Sequence, residues 1–248
     1  MTLICKCFNV SVIITIHSNI DRFLYLEKSL LNLAIYLVDY PIVLNENSFQ
    51  HAMCFNDNTI LMSAFIPKTE LKAVENRWIK TLRNIKKKNL SNKVIVTTSA
   101  WNYVLNESGN EIYGVTEIIK WALRQNHILI IFDPSGNYKK QILSSNLMLN
   151  TDIIFLNGNL DFLDAMRFCD VFIRNTTTDG DSLSLHEVLS IYKPVWATKV
   201  VTRPKGVYLY DVLEEVDVRK PSYKQFNSQD VPGTLIKLYN RILNGNLY

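Results

Sequence analysis

The chain has 248 residues, of which 48% are hydrophobic and 20% charged, with a formal net charge of +4. This composition excludes a disordered or low-complexity chain and supplies enough apolar residues for one large or two small globular domains. The mild positive charge admits anionic ligands but is not the footprint of a nucleic-acid binder, and no nucleic acid is expected as a partner.

The first residues do not read as a signal peptide, because Lys6 interrupts the apolar stretch and no small-residue cleavage site follows. Longer apolar runs break at charges or proline, as at Asp39 and Pro41, short of the roughly 20 residues that span a bilayer. A cytoplasmic protein is expected. Cys5, Cys7, Cys54 and Cys169 are few and scattered, which predicts free thiols in a reducing compartment. Cys5 and Cys7 alone make a poor metal site, and no metal is expected.

Val10 to Ile16 is a β-branched run ending at His17, and Phe23 to Leu37 repeats apolar residues at helical spacing. Pro41 to Leu44 and Thr59 to Phe65 read as short strands, with the turn cluster Asn56-Asp57-Asn58 before the second. A basic helix is predicted from about Glu70 to Lys88. Trp78, Leu82 and Ile85 share one face, while Arg77, Lys80, Arg83 and Lys86 to Lys88 crowd the others. Asn89 to Asn92 reads as a linker.

From Lys93 the alternation becomes regular. Strands are predicted at Val94 to Val96, Ile128 to Phe132, Asp152 to Leu156, Val171 to Ile173, Val195 to Ala197 and Val207 to Tyr210. Helices are predicted at Val115 to Arg124, after Gly136, at Leu160 to Phe168, at Ser182 to Ile191 and at Gly233 to Leu243. Strands that are apolar throughout and joined by helices imply a parallel sheet covered on both faces. Such sheets bind ligands at the carboxyl ends of their strands, so the loops after Ile16, Thr98, Phe132, Ile173 and Ala197 are the ones to watch.

The segment richest in chemistry is Arg174-Asn175-Thr176-Thr177-Thr178-Asp179-Gly180-Asp181-Ser182-Leu183-Ser184-Leu185-His186-Glu187. It links a buried strand to a helix. Gly180 permits close backbone approach, and Asp181 or Ser182 can cap the helix. Free N–H groups and the helix dipole at such a start suit a diphosphate. Glu187, more than one turn in, can accept hydrogen bonds from a ribose diol, and Asp179 can meet sugar hydroxyls. Read alone, the same residues also describe an N-capped helix in any α/β protein. No Walker loop, G-x-G-x-x-G, G-x-S-x-G or Cys-x-x-Cys occurs. His17, His51, His127 and His186 lack ligand spacing, and His127 reads as structural.

The spaced elements Asp179-Gly180…Glu187 and Pro194-Val195, extended by Arg203-Pro204…Gly206-Val207, resemble the signature of family 4 glycosyltransferases. Within that family they are similar to a subset that builds bacterial surface polymers. The resemblance covers Lys93 to Tyr210 well and the remainder loosely. It implies a GT-B-like α/β fold with a complete carboxyl-terminal Rossmann-like domain at 93–248. A basic interdomain helix and linker would lie at 71–92, and a partial amino-terminal, acceptor-side Rossmann-like domain at 1–70.

The resemblance also implies roles. Glu187 would bind the ribose hydroxyls, and backbone amides around Gly180, Asp181, Ser182 and Leu183 the diphosphate. Asp179 would contact the donor sugar, and His17 stands where the family offers a histidine to that sugar. The family is retaining and generally metal-independent, with no cofactor beyond the nucleoside-diphosphate sugar donor. Its acceptor here would be a saccharide or lipid-linked saccharide. The loop Thr98 to Leu105 carries no cation, so Arg174 and Arg203 are the candidates to face the phosphates or, alternatively, to form ion pairs at the surface or the sheet end. Trp101 is a candidate to stack on the base or, alternatively, a core aromatic.

Strands that would precede Val10 in the family have no counterpart in the sequence, so the expectation is an amino-terminally truncated homologue or a chain that needs a partner chain to complete the amino-terminal domain. The basic helix suggests either peripheral contact with an anionic membrane or a solvated interdomain face. The alternative to a sugar transferase is a non-catalytic nucleotide-sugar-binding homologue or subunit. A nucleotide-sugar epimerase of similar architecture is more distant.

Overall fold

The computed structural model describes residues 2–8, 10–67, 77–89, 91–158, 161–219 and 230–245. In chain order its first elements are α1 (Thr2–Cys7), β1 (Ile13–Ile16), α2 (Tyr25–Leu37), β2 (Tyr40–Val43), α3 (Glu46–Met53) and β3 (Ile60–Leu61). Next come α4 (Arg77–Lys88), β4 (Ile95–Ser99), α5 (Val115–Arg124), β5 (Ile128–Phe132), α6 (Asn137–Ser144), β6 (Ile153–Leu156) and α7 (Phe162–Met166). The last are β7 (Val171–Arg174), α8 (Leu183–Ser190), β8 (Val195–Thr198), β9 (Tyr208–Tyr210) and α9 (Val231–Gly245). Two compact units result. The first comprises Met1–Ile66, Thr178–Leu183 and Ser228–Tyr248, the second Pro67–Thr177 and Ser184–Asn227.

Among the described residues the second unit holds six parallel strands in the order β6-β5-β4-β7-β8-β9. Counted from β4 this is 3-2-1-4-5-6, the Rossmann order. Alternate side chains point to opposite faces of a strand, and here both faces are apolar. Val96, Leu129, Ile131, Val171 and Ile173 join Trp121 and Tyr138 of α5 and α6 in one cluster. Ile95, Ile130, Phe132, Phe172 and Val195 join Leu82 of α4 and Leu185 of α8 in the other. Helix α5 buries Val115, Ile118, Ile119 and Ala122, the spacing of a single helical stripe. Helix α4 docks through buried Ile79 and Leu82, with Trp78 and Ile85 beside them.

Among the described residues the first unit holds three parallel strands in the order β1-β2-β3, with Ile13 opposite Tyr40 and Ile42 opposite Ile60. Ile16, Ile20, Ile35, Val43 and Ala52 form one small core, and Ile42, Met62, Val231 and Leu238 another. The Asp39 carboxylate gathers the start of this unit, accepting from the Val12 amide at 2.7 Å and from Lys6 Nζ at 2.6 Å.

Several sequence expectations need correction. Helices α1 and α3 were not foreseen. Only Ser48 and Ala52 of α3 are buried, so there is no apolar stripe to see. Its readable signal is the cap, Asn45, whose side chain accepts from the Ser48 amide at 2.9 Å. The strand expected over Thr59 to Phe65 pairs only at Ile60 and Leu61, and that at Val10 begins at Ile13. Phe23 precedes the helix expected to start there, because a 3₁₀ turn occupies Ile20–Arg22. The start of the basic helix near Glu70 lies outside the described residues.

Candidate functional site

The sheet of the second unit runs outward in both directions from the β4–β7 pair, so the carboxyl ends of these strands mark its topological switch point. Arg174 closes that point: Nη1 donates to the Ser99 carbonyl at 3.2 Å, and the guanidinium lies 5.0 Å from the Tyr113 ring centroid. The next residue, Asn175, donates through Nδ2 to the Gly114 carbonyl at 3.3 Å and to Glu117 Oε2 at 2.9 Å. Its Oδ1 accepts from the Tyr210 hydroxyl at 3.0 Å, and burial pushes that phenol up, keeping it a neutral donor. Gly114 precedes α5 at φ +54, and a Cβ there would meet the Asn175 carbonyl oxygen and side chain at 2.5 Å.

Arg203 fastens the neighbouring loops. Its Nε donates to the Thr198 carbonyl at 3.0 Å and its Nη2 to Thr176 Oγ1 at 2.9 Å. Thr198 Oγ1 in turn donates to the Thr176 carbonyl at 2.8 Å. The two arginines singled out from sequence therefore both stand at the carboxyl end of the sheet, and both tie strand ends together. Trp101, just past β4, is 75% exposed, so the core-aromatic reading of it is wrong. A polar groove of about 500 Å³ at the same end is lined by Asn102, Tyr103, Asn137, Lys140, Gln141 and Ser144.

After Thr177 the chain passes into the first unit for residues Thr178–Leu183 and returns to the second at Ser184. Within the first unit this segment meets the end of β1. A Cβ on Gly180 would lie 2.5 Å from the His17 carbonyl oxygen, so only glycine lets the backbones come this close. Asp181 accepts a hydrogen bond from the Ser63 hydroxyl. Asp179 and Ser182 are buried, the His17 residue is exposed, and Leu183 is half open to solvent. Glu187 lies half-buried in α8.

The structure thus joins the Asp179–Ser182 segment to His17 in one unit and collects Arg174, Arg203 and Trp101 at one end of the sheet in the other. Sequence reasoning missed Asn175, Glu117, Tyr210 and Ser63. Their partners lie 35 to 118 residues away, and no local pattern encodes that.

Other candidates take structural places. His127 is buried, tilted against Trp121 at 5.3 Å between ring centroids, and its pKa is lowered by burial and secondarily by Arg219. The four cysteines are free thiols, and burial raises the pKa of Cys169. Among the described residues, no group of three or more His, Cys, Asp or Glu side chains could hold a metal ion, and no helix is long and apolar enough to cross a membrane.

No protein-family model matches the chain, and no curated sequence does. Solved structures match its fold. Anabaena HepE in complex with UDP-glucose superposes with a TM-score of 0.61 at 15% identity, covering 99% of this chain and 66% of that one. Sucrose-phosphate synthase from Thermosynechococcus elongatus gives 0.59 at 13% identity, covering 97% and 61%. A variant of S. aureus TarM in complex with fondaparinux, alpha-GlcNAc-glycerol and UDP gives 0.56 at 16%, covering 95% and 45%. The chain therefore spans less than two thirds of the length of these structures. The fold is α/β and GT-B-like, with two parallel Rossmann-like sheets.

Proposed function

We propose that the protein transfers a sugar from a nucleoside-diphosphate sugar to a saccharide acceptor. The observation that carries the reading is the segment from Asp179 to Glu187. Its acidic–glycine turn is pressed against the His17 backbone and leads directly into α8, which bears Glu187 one turn further on. It leaves a Rossmann-order sheet at the strand beside the switch point, where such sheets bind ligands. Solved structures of the same fold hold UDP-glucose and UDP.

In this reading the amides of Asp181, Ser182 and Leu183, at the start of α8, receive the diphosphate. Arg174 and Arg203 add positive charge while fixing the loops that carry them. Glu187 accepts from the ribose hydroxyls. Asp179 and His17 contact the donor sugar, and Trp101 stacks on the base. Reaction with retention would leave the anomeric configuration unchanged, and the leaving diphosphate would be stabilised by backbone dipoles and guanidinium charge. A surface polysaccharide or a lipid-linked saccharide is the acceptor this reading favours.

The test is turnover. The protein is incubated with a panel of nucleoside-diphosphate sugars and saccharide acceptors, and the released nucleoside diphosphate is followed by mass spectrometry. Release from one donor, abolished by Glu187→Ala, is the expected result. A donor that binds but is never consumed would replace the transferase with a non-catalytic sugar-nucleotide binder.

A further inference from the structure

Helix α2 is apolar on the wrong side as well as the right one. Inward it contributes Ile35, fully buried, with Leu31 packed against the small core. Outward, Tyr25 is 87% exposed, Leu26 76%, Leu30 69%, Leu33 49% and Tyr36 68%. At 3.6 residues per turn these five fall within an arc of about 140°. The one polar residue in that arc, Ser29, returns its hydroxyl to the Tyr25 carbonyl at 2.9 Å. A surface helix ordinarily turns its polar side to water, and an apolar arc this wide marks a face that another element covers.

The face is uncharged. Glu27 and Lys28, the only ionisable side chains of α2 apart from its tyrosines, stand off the arc and are engaged. Glu27 accepts from the Leu24 amide at 3.2 Å, and Lys28 pairs with Asp21 at 3.1 Å. Such a face lacks the cations that draw a helix to an anionic membrane, and it meets no like charge when set against itself.

We infer that the outer face of α2 pairs with the same face of a second copy of this chain. The order of its residues supports a two-fold antiparallel pair. Leu26, Leu30 and Leu33 follow the four–three spacing of a helix-pair seam, and Tyr25 and Tyr36 flank Leu30 at nearly equal distances on either side. With Leu30 at the axis, Leu26 meets the Leu33 region of the other copy and Tyr25 meets Tyr36, the self-complementary match a two-fold requires. The five side chains expose on the order of 600 Å², at the top of the roughly 300–600 Å² patch of a typical monomer, where a standard interface takes about 800 Å² from each partner. Ile4 and Phe8, at 61% and 76% exposure, extend the apolar surface along α1, which packs beside α2.

The experiment measures the mass of the full chain in solution by light scattering across micromolar concentrations, for the protein itself, Leu30→Glu and Leu30→Lys. The protein is expected to be dimeric and each variant monomeric, because a two-fold places like charges opposite each other. An equimolar mixture of the two variants is expected to regain the dimer, since opposite charges then meet. Tyr25→Glu, at a position the fold leaves open, is expected to weaken the dimer at least tenfold. A protein monomeric throughout, including one that binds neutral phosphatidylcholine vesicles through this face, would overturn the inference. So would a dimer that survives both Leu30 variants, or folded variants whose mixture stays monomeric.

Discussion

The two units follow the same βα grammar but treat their outer surfaces differently. In the second unit α4 and α5 bury one apolar stripe and turn a polar side outward. Helix α4 is the extreme case: it buries Ile79 and Leu82 and leaves its lysines to solvent. In the first unit α2 buries a single residue and displays leucines and tyrosines. Among the described residues β1 pairs only with β2 in the sheet order. Periodicity locates both helices equally well. The chemistry of the face turned away from the sheet then separates a layer that is finished from one that awaits cover.

Substitutions sharpen that contrast. The largest effect is expected at Phe172, fully buried in the middle of the second sheet. Phe172→Ala should cost about 3–5 kcal/mol in denaturant unfolding. Its counterpart Leu33→Ala, on the open face of α2, should stay within about 0.5 kcal/mol at concentrations below the dimer's dissociation constant. Equal losses at the two sites would erase the distinction between the units.

Gly180→Ala comes next. The added Cβ collides with the His17 carbonyl oxygen, so a loss of about 1–3 kcal/mol is expected, together with weaker nucleotide binding. A variant as stable and as tight-binding as the parent would show that this approach is not needed.

The smallest effect is a pH dependence in the second unit. His127 has a lowered pKa in the folded protein, so the unfolded chain binds the proton more readily. Stability is then full above the ordinary imidazole value of 6.5 and is lost as pH falls below it. Replacing His127 with Gln should flatten the decline in melting temperature between about pH 7.5 and 5.5. An unchanged slope would assign the decline to other groups.

Much of the second sheet was legible because its strands are continuous apolar runs separated by single helical stripes. Gly180 was legible as a point of close approach, though its partner, the His17 carbonyl, was not. The rest was hidden for physical reasons. Helix α3 forms on a cap and two buried small residues, which leaves no periodic signal. Arg174 and Arg203 stand out in the sequence as cations, while their hydrogen bonds to Ser99, Thr176 and Thr198 depend on strand ends brought together by the crossovers. The Asn175–Tyr210 bond is of the same kind. Trp101 was ambiguous because an aromatic beside a strand reads alike whether it faces inward or out.

Thermal unfolding in the presence of UDP, GDP, TDP, ADP or CMP tests the central claim most directly, with Glu187→Ala as the control. A ligand at 100 times its dissociation constant adds about 2.7 kcal/mol, a rise of roughly 5 to 10 °C for a chain of this size. The account predicts such a rise with one nucleoside diphosphate and its loss in Glu187→Ala. No rise with any of the five, or a rise that Glu187→Ala leaves intact, would contradict it.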